Sequence, residues 1–231
     1  RHRNQGTHVS TIDLQQFCAE RSLARHERLM AEDPQYRGAA TPDAVAAAKK
    51  DRALRMPQII EKVFETCADR PALGRRATQL VTDPKTGRRT LQLLDEFETT
   101  TYGEVWKDIR GLAAVWQQDP SVRLKSGDLV CILGFAGSGY VIADLAATHC
   151  GAGSVPLQTN APTPTLTRIL KETEARCLAV SIECLDIAVD MVLGGHAPAS
   201  LLVFEYDEGD DDQREIYERA AQRLAAAGVA T

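Results

Sequence analysis

The chain has 231 residues, 44% of them hydrophobic and 26% charged, enough to bury a core in one or two domains of ordinary soluble composition. Its net charge of −5 argues against nucleic acid as the main partner, because a polyanion is gripped by clustered Lys and Arg. No basic segment with an apolar run and a small-residue cleavage site opens the chain, and the uncharged stretch from Leu145 to Thr167 is full of Thr, Pro and Gly, so neither export nor a membrane span is expected.

Residues 1–10 show no apolar period and are read as a flexible lead-in. Thr11 can cap a helix running to about Glu32 and ending before Pro34, with Leu14, Phe17, Leu23 and Leu29 on or near one stripe. Thr41-Pro42-Asp43-Ala44 opens a second helix through Lys50, with Pro in the first turn. Ile59, Ile60, Val63 and Phe64 give a third helix an amphipathic face that stops near Ala68. Residues 11–70 are thus expected to form a helical N-terminal extension.

The period then changes. Ala72 to Thr82 reads as a strand, Asp83 to Gly87 as a five-residue turn, and Thr90 to Leu94 as the returning strand of a β-hairpin. Phe97 to Tyr102 is a separate β-prone run. Helix resumes from Glu104, where Val105, Trp106, Ile109, Leu112, Val115 and Trp116 recur at helical spacing, the pattern of core packing rather than of a stacking site.

Leu129 to Leu133 is a continuous apolar run, suited to a strand buried on both faces. A helix from Tyr140 follows, then Gly151 at a left-handed cap position and a strand from Ser154 to Leu157. The rhythm continues with a helix from Pro164 to Glu174, a strand from Cys177 to Ile182, a helix from Leu185 to Leu193 and a strand from Leu201 to Phe204. The expected class is α/β: N-terminal helices, a β-hairpin, then a βαβαβ parallel sheet flanked by helices. The acidic run Asp207 to Asp212 lacks the 12-residue calcium loop with its closing Glu. It is read as a solvated start to a last helix, Gln213 to Ala227, ended by Gly228.

Few residues combine into recognisable chemistry. Gly134-Phe135-Ala136-Gly137-Ser138-Gly139 follows a strand and opens a helix, where anions commonly bind, but its glycines fall as GxxGxG and no GxxxxGK(S/T) occurs. A tight turn with Ser138 as helix cap is the competing reading. No GxSxG elbow gives Ser138 a nucleophile's setting, and His149 has no placed partner and reads as a packing or capping residue. The histidines His2, His8, His26, His149 and His196 lack the spacing of a helical metal site. Cys18, Cys67, Cys131, Cys150, Cys177 and Cys184 include no CxxC and read as reduced thiols of a cytoplasmic protein. No catalytic, cofactor-binding or metal residue is assigned.

Several segments together resemble the N-terminal part of the adenylation domain of bacterial carboxylic acid reductases, within the adenylate-forming superfamily. They are LRMPQIIEKVFETCADRPALGRRA from Leu54, VTDPKTGRRTLQLLDEFETTTYGEVW from Val81, GDLVCILGF from Gly127, GAGSVPLQTNAP from Gly151 and VFEYDEGDDDQRE from Val203. Thr101 to Val105 resembles the superfamily's first core motif and Gly151 to Leu157 the second, both structural. The resemblance implies that residues 71–231 are an incomplete N-terminal subdomain. The superfamily's phosphate-gripping loop, ribose-binding aspartate, hinge and lid lysine have no counterpart in these residues, so the fragment by itself is expected to be inactive and to bind no cofactor. It further implies a parent protein with carrier and NADPH-binding reductase domains. That parent adenylates a small carboxylic acid with ATP and Mg²⁺, loads it on a phosphopantetheine thiol and reduces the thioester to an aldehyde. An acyl-CoA synthetase fragment remains an alternative. So does a stand-alone flavodoxin-like binding or interaction module with its ligand at the carboxyl ends of the strands.

Overall fold

A computed structural model of the chain describes residues 11–229, with side chains from Leu14 onward. The expected lead-in and the capping side chain of Thr11 lie outside the described residues. The chain divides into two compact units, Arg1–Ala47 and Ala48–Thr231.

The first unit holds α1 (Thr11–Glu32) and α2 (Pro34–Gly38). The stop before Pro34 holds, but Pro34 then opens a short helix that the sequence did not suggest. Proline is tolerated in a first helical turn, and the Asp33 carboxylate caps it by accepting from the Gln35 and Tyr36 amides at 2.8 and 3.1 Å. The Tyr36 hydroxyl lies 3.0 Å from His26 Nδ1 on α1. Helix α3 (Asp43–Lys50) follows.

The second unit continues with α4 (Met56–Thr66) and an antiparallel ribbon of β1 (Pro71–Thr82) and β2 (Arg89–Thr101). Two expectations change here. The connection runs from Asp83 through Arg88, and the two β-prone runs at 90–94 and 97–102 are one strand. What joins them is a register irregularity: Arg76 faces Phe97 while Thr78 faces Leu93, so a bulge absorbs the extra residues. Arg76 staples that bulge, donating to the Leu94 carbonyl at 2.6 Å and to Asp95 at 2.8 Å. Next comes α5 (Tyr102–Gln118), begun by a Thr101–Glu104 capping box.

The parallel sheet is built from β3 (Leu129–Leu133), β4 (Gly153–Leu157), β5 (Cys177–Ser181) and β6 (Ser200–Phe204), in the order β4-β3-β5-β6. Its connecting helices are α6 (Ser138–His149), α7 (Thr163–Thr173) and α8 (Leu185–Gly194), with α9 (Asp211–Ala226) after β6. Alternate residues point to opposite faces, as the pleat requires. Val130, Ile132, Cys177 and Ala179 pack in one cluster with Trp106 and Trp116 of α5 and with α6; Cys131, Leu133, Leu178 and Val180 pack in another with α7, α8 and α9. Both tryptophans are buried and Trp106 stacks on Phe64 at 5.5 Å, so they serve the core. Ile132 is 0% exposed at the centre of the sheet. Gly151, at φ 75°, takes the left-handed position that follows α6. Helices α6 and α9 each start two residues earlier than periodicity suggested. Among the described residues no helix is long and apolar enough to cross a membrane.

Candidate functional site at the carboxyl ends of the parallel strands

In open α/β sheets, ligands sit beyond the carboxyl ends of the strands where the chain's direction of winding reverses. Here that point lies between the adjacent strands β3 and β5, because β3 connects through α6 to β4 on one side while β5 connects through α8 to β6 on the other. Three pieces of chain meet there: the glycine turn Gly134–Gly139, Ser181 at the end of β5, and Phe204-Glu205 at the end of β6.

The chain's own side chains fill the reversal point. A Cβ placed on Gly134 would lie 2.8 Å from Phe204 Cζ and 2.9 Å from Ser181 Cβ, and one on Gly139 only 2.7 Å from Phe204 Cδ2. These glycines therefore permit the close approach of Phe204, for which no side chain at 134 or 139 leaves space. Ser181 is buried beneath them, with its Oγ unpartnered among the described residues. At the start of α6 the positive end of the helix dipole is also taken. Glu205, itself at φ 57°, extends its carboxylate to accept from the Gly139 amide at 2.9 Å. A Cβ on Gly137 would stand 2.7 Å from that same oxygen. In this structure a carboxylate of the chain itself occupies the anion position of the turn.

This arrangement corrects the reading of Ser138 as a cap. Ser138 is the first helical residue, Gly137 occupies the cap position without a side-chain hydrogen bond, and Glu205 supplies the acceptor. Ser138 and His149 stand at opposite ends of α6, roughly 16 Å apart at 1.5 Å per residue, and form no catalytic pair. His149 presents its ring edge-on to Trp106 at 5.3 Å, with Nδ1 buried and unpartnered among the described residues, which is the expected packing role.

The acidic run is likewise not a solvated helix start. Asp210 is 6% exposed and caps α9 by accepting from the Asp212 and Gln213 amides, while its other oxygen accepts from the Leu91 amide of β2 at 2.8 Å. Asp211 accepts from the Arg89 amide at 2.7 Å, and Arg88 pairs with Glu215 at 2.6 Å and with Asp212. The run clamps the hairpin. The Arg89 amide, then Arg214, hold Asp211 below the usual carboxylate range, and Arg88 does the same for Glu215. No group of three or more His, Cys, Asp or Glu among the described residues is arranged to hold a metal ion. All six cysteines are free thiols. Burial pushes Cys131 up and Cys177 up to about 11, so both stay protonated and unreactive at neutral pH.

The fold and the filled reversal point can be set beside known proteins. The AMP-binding enzyme family profile matches residues 68–228. The carboxylic acid reductase of Mycobacterium tuberculosis is 45% identical over 206 residues, covering 89% of this chain and 17% of that protein. The chain thus spans about a sixth of its curated relatives' length. A solved adenylation domain of the carboxylic acid reductase from Segniliparus rugosus, in complex with AMP and a co-purified carboxylic acid, superposes with a TM-score of 0.84 at 39% identity, over 90% of this chain and 33% of that one. The adenylation domain of the Mycobacterium chelonae carboxylate reductase gives 0.79 at 36% identity, over 96% and 33%. The expected resemblance holds across nearly the whole described structure: the chain belongs to the AMP-binding enzyme family and, within it, is similar to part of the adenylation domain of carboxylic acid reductases.

Proposed function

We propose that these residues form a scaffold portion of the adenylation domain of a carboxylic acid reductase. The complete protein activates a carboxylic acid with ATP and Mg²⁺ to the acyl-adenylate. It then passes the acyl group to a phosphopantetheine thiol on a carrier domain and reduces the thioester with NADPH to the aldehyde, in the cytoplasm. Residues 11–70 serve as a helical extension and 71–231 as the incomplete N-terminal subdomain, one wall against which the remainder of the domain builds the acyl and adenine pockets. The observation that carries this reading is the likeness, at 39% identity over 90% of the chain, to a domain solved with AMP and a carboxylic acid.

The residues 1–231 by themselves supply no catalytic or cofactor-binding group in this proposal, and two features support that. Glu205 holds the anion position of the glycine turn, and Phe204 fills the crevice beside it. The complete gene product should show acid-dependent exchange of pyrophosphate into ATP, and oxidation of NADPH that requires both acid and ATP. Absence of the exchange reaction would sink the adenylation reading. In calorimetry, residues 1–231 should give no saturable heat with Mg-ATP; binding at micromolar ATP that is lost in Gly137→Val would overturn the scaffold reading.

A further inference from the structure

Two consecutive residues fill the reversal point, and the backbone leaves the strand conformation to let them. In an extended strand the side chains of Phe204 and Glu205 would point to opposite faces. Glu205 instead stands at φ 57°, in the left-handed region that is costly for a residue with a Cβ, and this brings ring and carboxylate to the same glycine. Phe204 Cγ and Cδ2 would lie 2.9 and 2.7 Å from a Cβ on Gly139, and the Glu205 carboxylate accepts from the Gly139 amide at 2.9 Å. Glu205 is exposed, and its carboxylate makes this one hydrogen bond and no ion pair among the described residues.

The far end of the ring meets an unsatisfied hydroxyl. Phe204 Cζ and Ser181 Oγ converge on one point, 2.8 and 3.0 Å from where a Cβ on Gly134 would stand. Ser181 is 2% exposed and its Oγ has no partner among the described residues, although a buried hydroxyl is ordinarily paired. The reversal point therefore offers, in order, an amide at the positive end of α6, a slot the width of an aromatic ring beside the two glycines, and a hydroxyl that the apolar ring of Phe204 cannot satisfy. That order matches a small aromatic carboxylate with a hydroxyl across the ring from its carboxyl group.

We propose that Phe204 and Glu205 are a displaceable stand-in for such an acid, and that the reversal point is a binding site for a para-hydroxylated aromatic carboxylate. The acid's carboxylate takes the Gly139 amide, its ring takes the slot and its hydroxyl pairs with Ser181, while Glu205 moves into solvent and is released from its strained conformation. The site stands whether or not the complete protein exchanges pyrophosphate. Its test is amide-resolved hydrogen exchange at Gly139 in the complete protein, titrated with para-hydroxybenzoate and with benzoate. Saturating para-hydroxybenzoate should slow the native Gly139 amide about tenfold, because a buried ligand replaces an exposed carboxylate. In Glu205→Gly, which keeps the left-handed backbone without strain, that amide loses its acceptor and exchanges faster. There para-hydroxybenzoate should restore protection at a concentration about tenfold lower than benzoate requires. Adding Ser181→Ala should abolish this preference. A native Gly139 amide that stays unchanged at concentrations well above those that protect Glu205→Gly would show the pair to be fixed and overturn the proposal. Equal potency of the two acids in Glu205→Gly, or a preference that survives Ser181→Ala, would overturn it as well.

Discussion

In the parallel sheet Ile132 is 0% exposed within an apolar cluster, whereas in the β1–β2 ribbon Leu93 and Phe97 are 64% and 71% exposed, and the start of α9 holds the ribbon by bonds from Arg88, Arg89 and Leu91 to three aspartates and Glu215. The sheet draws its stability from apolar area removed from water, roughly 25 cal/mol per Å². A two-stranded ribbon is marginal by itself, and this one depends on charge-assisted hydrogen bonds to a helix start. Volume changes should therefore damage the sheet, while acid and loss of a single carboxylate should damage the ribbon.

The largest expected effect tests the sheet. Ile132→Ala should cost about 2–5 kcal/mol against a total of about 5–15 kcal/mol, and a thermal melt would show residues 1–231 largely unfolded or molten. A melt indistinguishable from that of the parent would mean the central strand carries little of the core.

Next in size is Asp210→Ala, which removes the α9 cap and leaves the Leu91 amide without its acceptor. We expect a loss of about 1–3 kcal/mol. Amide exchange should rise in β2 near Leu91 while β3 remains protected. Equal loosening of both strands would show that the clamp supports the whole unit and would blur the contrast.

A smaller effect follows from acid. Asp211 and Glu215 are held below their ordinary values of 3.8 and 4.5, so the folded state binds their protons less readily than the unfolded chain. Their contribution is complete above those values and is lost as pH falls through the depressed folded values. Protection of the Arg89 amide, which Asp211 accepts, should fall only as pH drops below 3.8, while that of Cys131 in β3 should not. The thiol of Cys177, pushed up to about 11, has no titration in that window. Loss of protection in β3 at the same pH would remove the distinction between the two regions.

The smallest expected effect is that of Glu208→Ala, in the same acidic run but exposed. Surface substitutions of this kind stay within about 0.5 kcal/mol. Matched urea titrations of this variant and Asp210→Ala would sharpen the point that position within the clamp, rather than negative charge in general, matters.

Where a residue's role depends on near neighbours in the chain, the sequence by itself settled it. The apolar runs at 129–133 and 177–182 pointed to strands covered on both faces, with β5 ending one residue short of the second, and Trp106 and Trp116 fell on the helical stripe that packs against them. Segments around Gly151 and Thr101 carried the family resemblance in the same local way. Tertiary structure alone decided the rest. Glu205 reaches a glycine 66 residues earlier, and Asp210 reaches Leu91 across 119. An isolated acidic run therefore looked solvated, and Ser138 looked like the cap of the helix that the glycine-rich turn opens. Likewise, β2 runs unbroken past Asp95 through a bulge that Arg76, 19 residues away, bridges. A local pattern reports which side chains prefer water, but a buried carboxylate is stabilised by the particular amide brought opposite it, and that pairing exists only once the chain has folded.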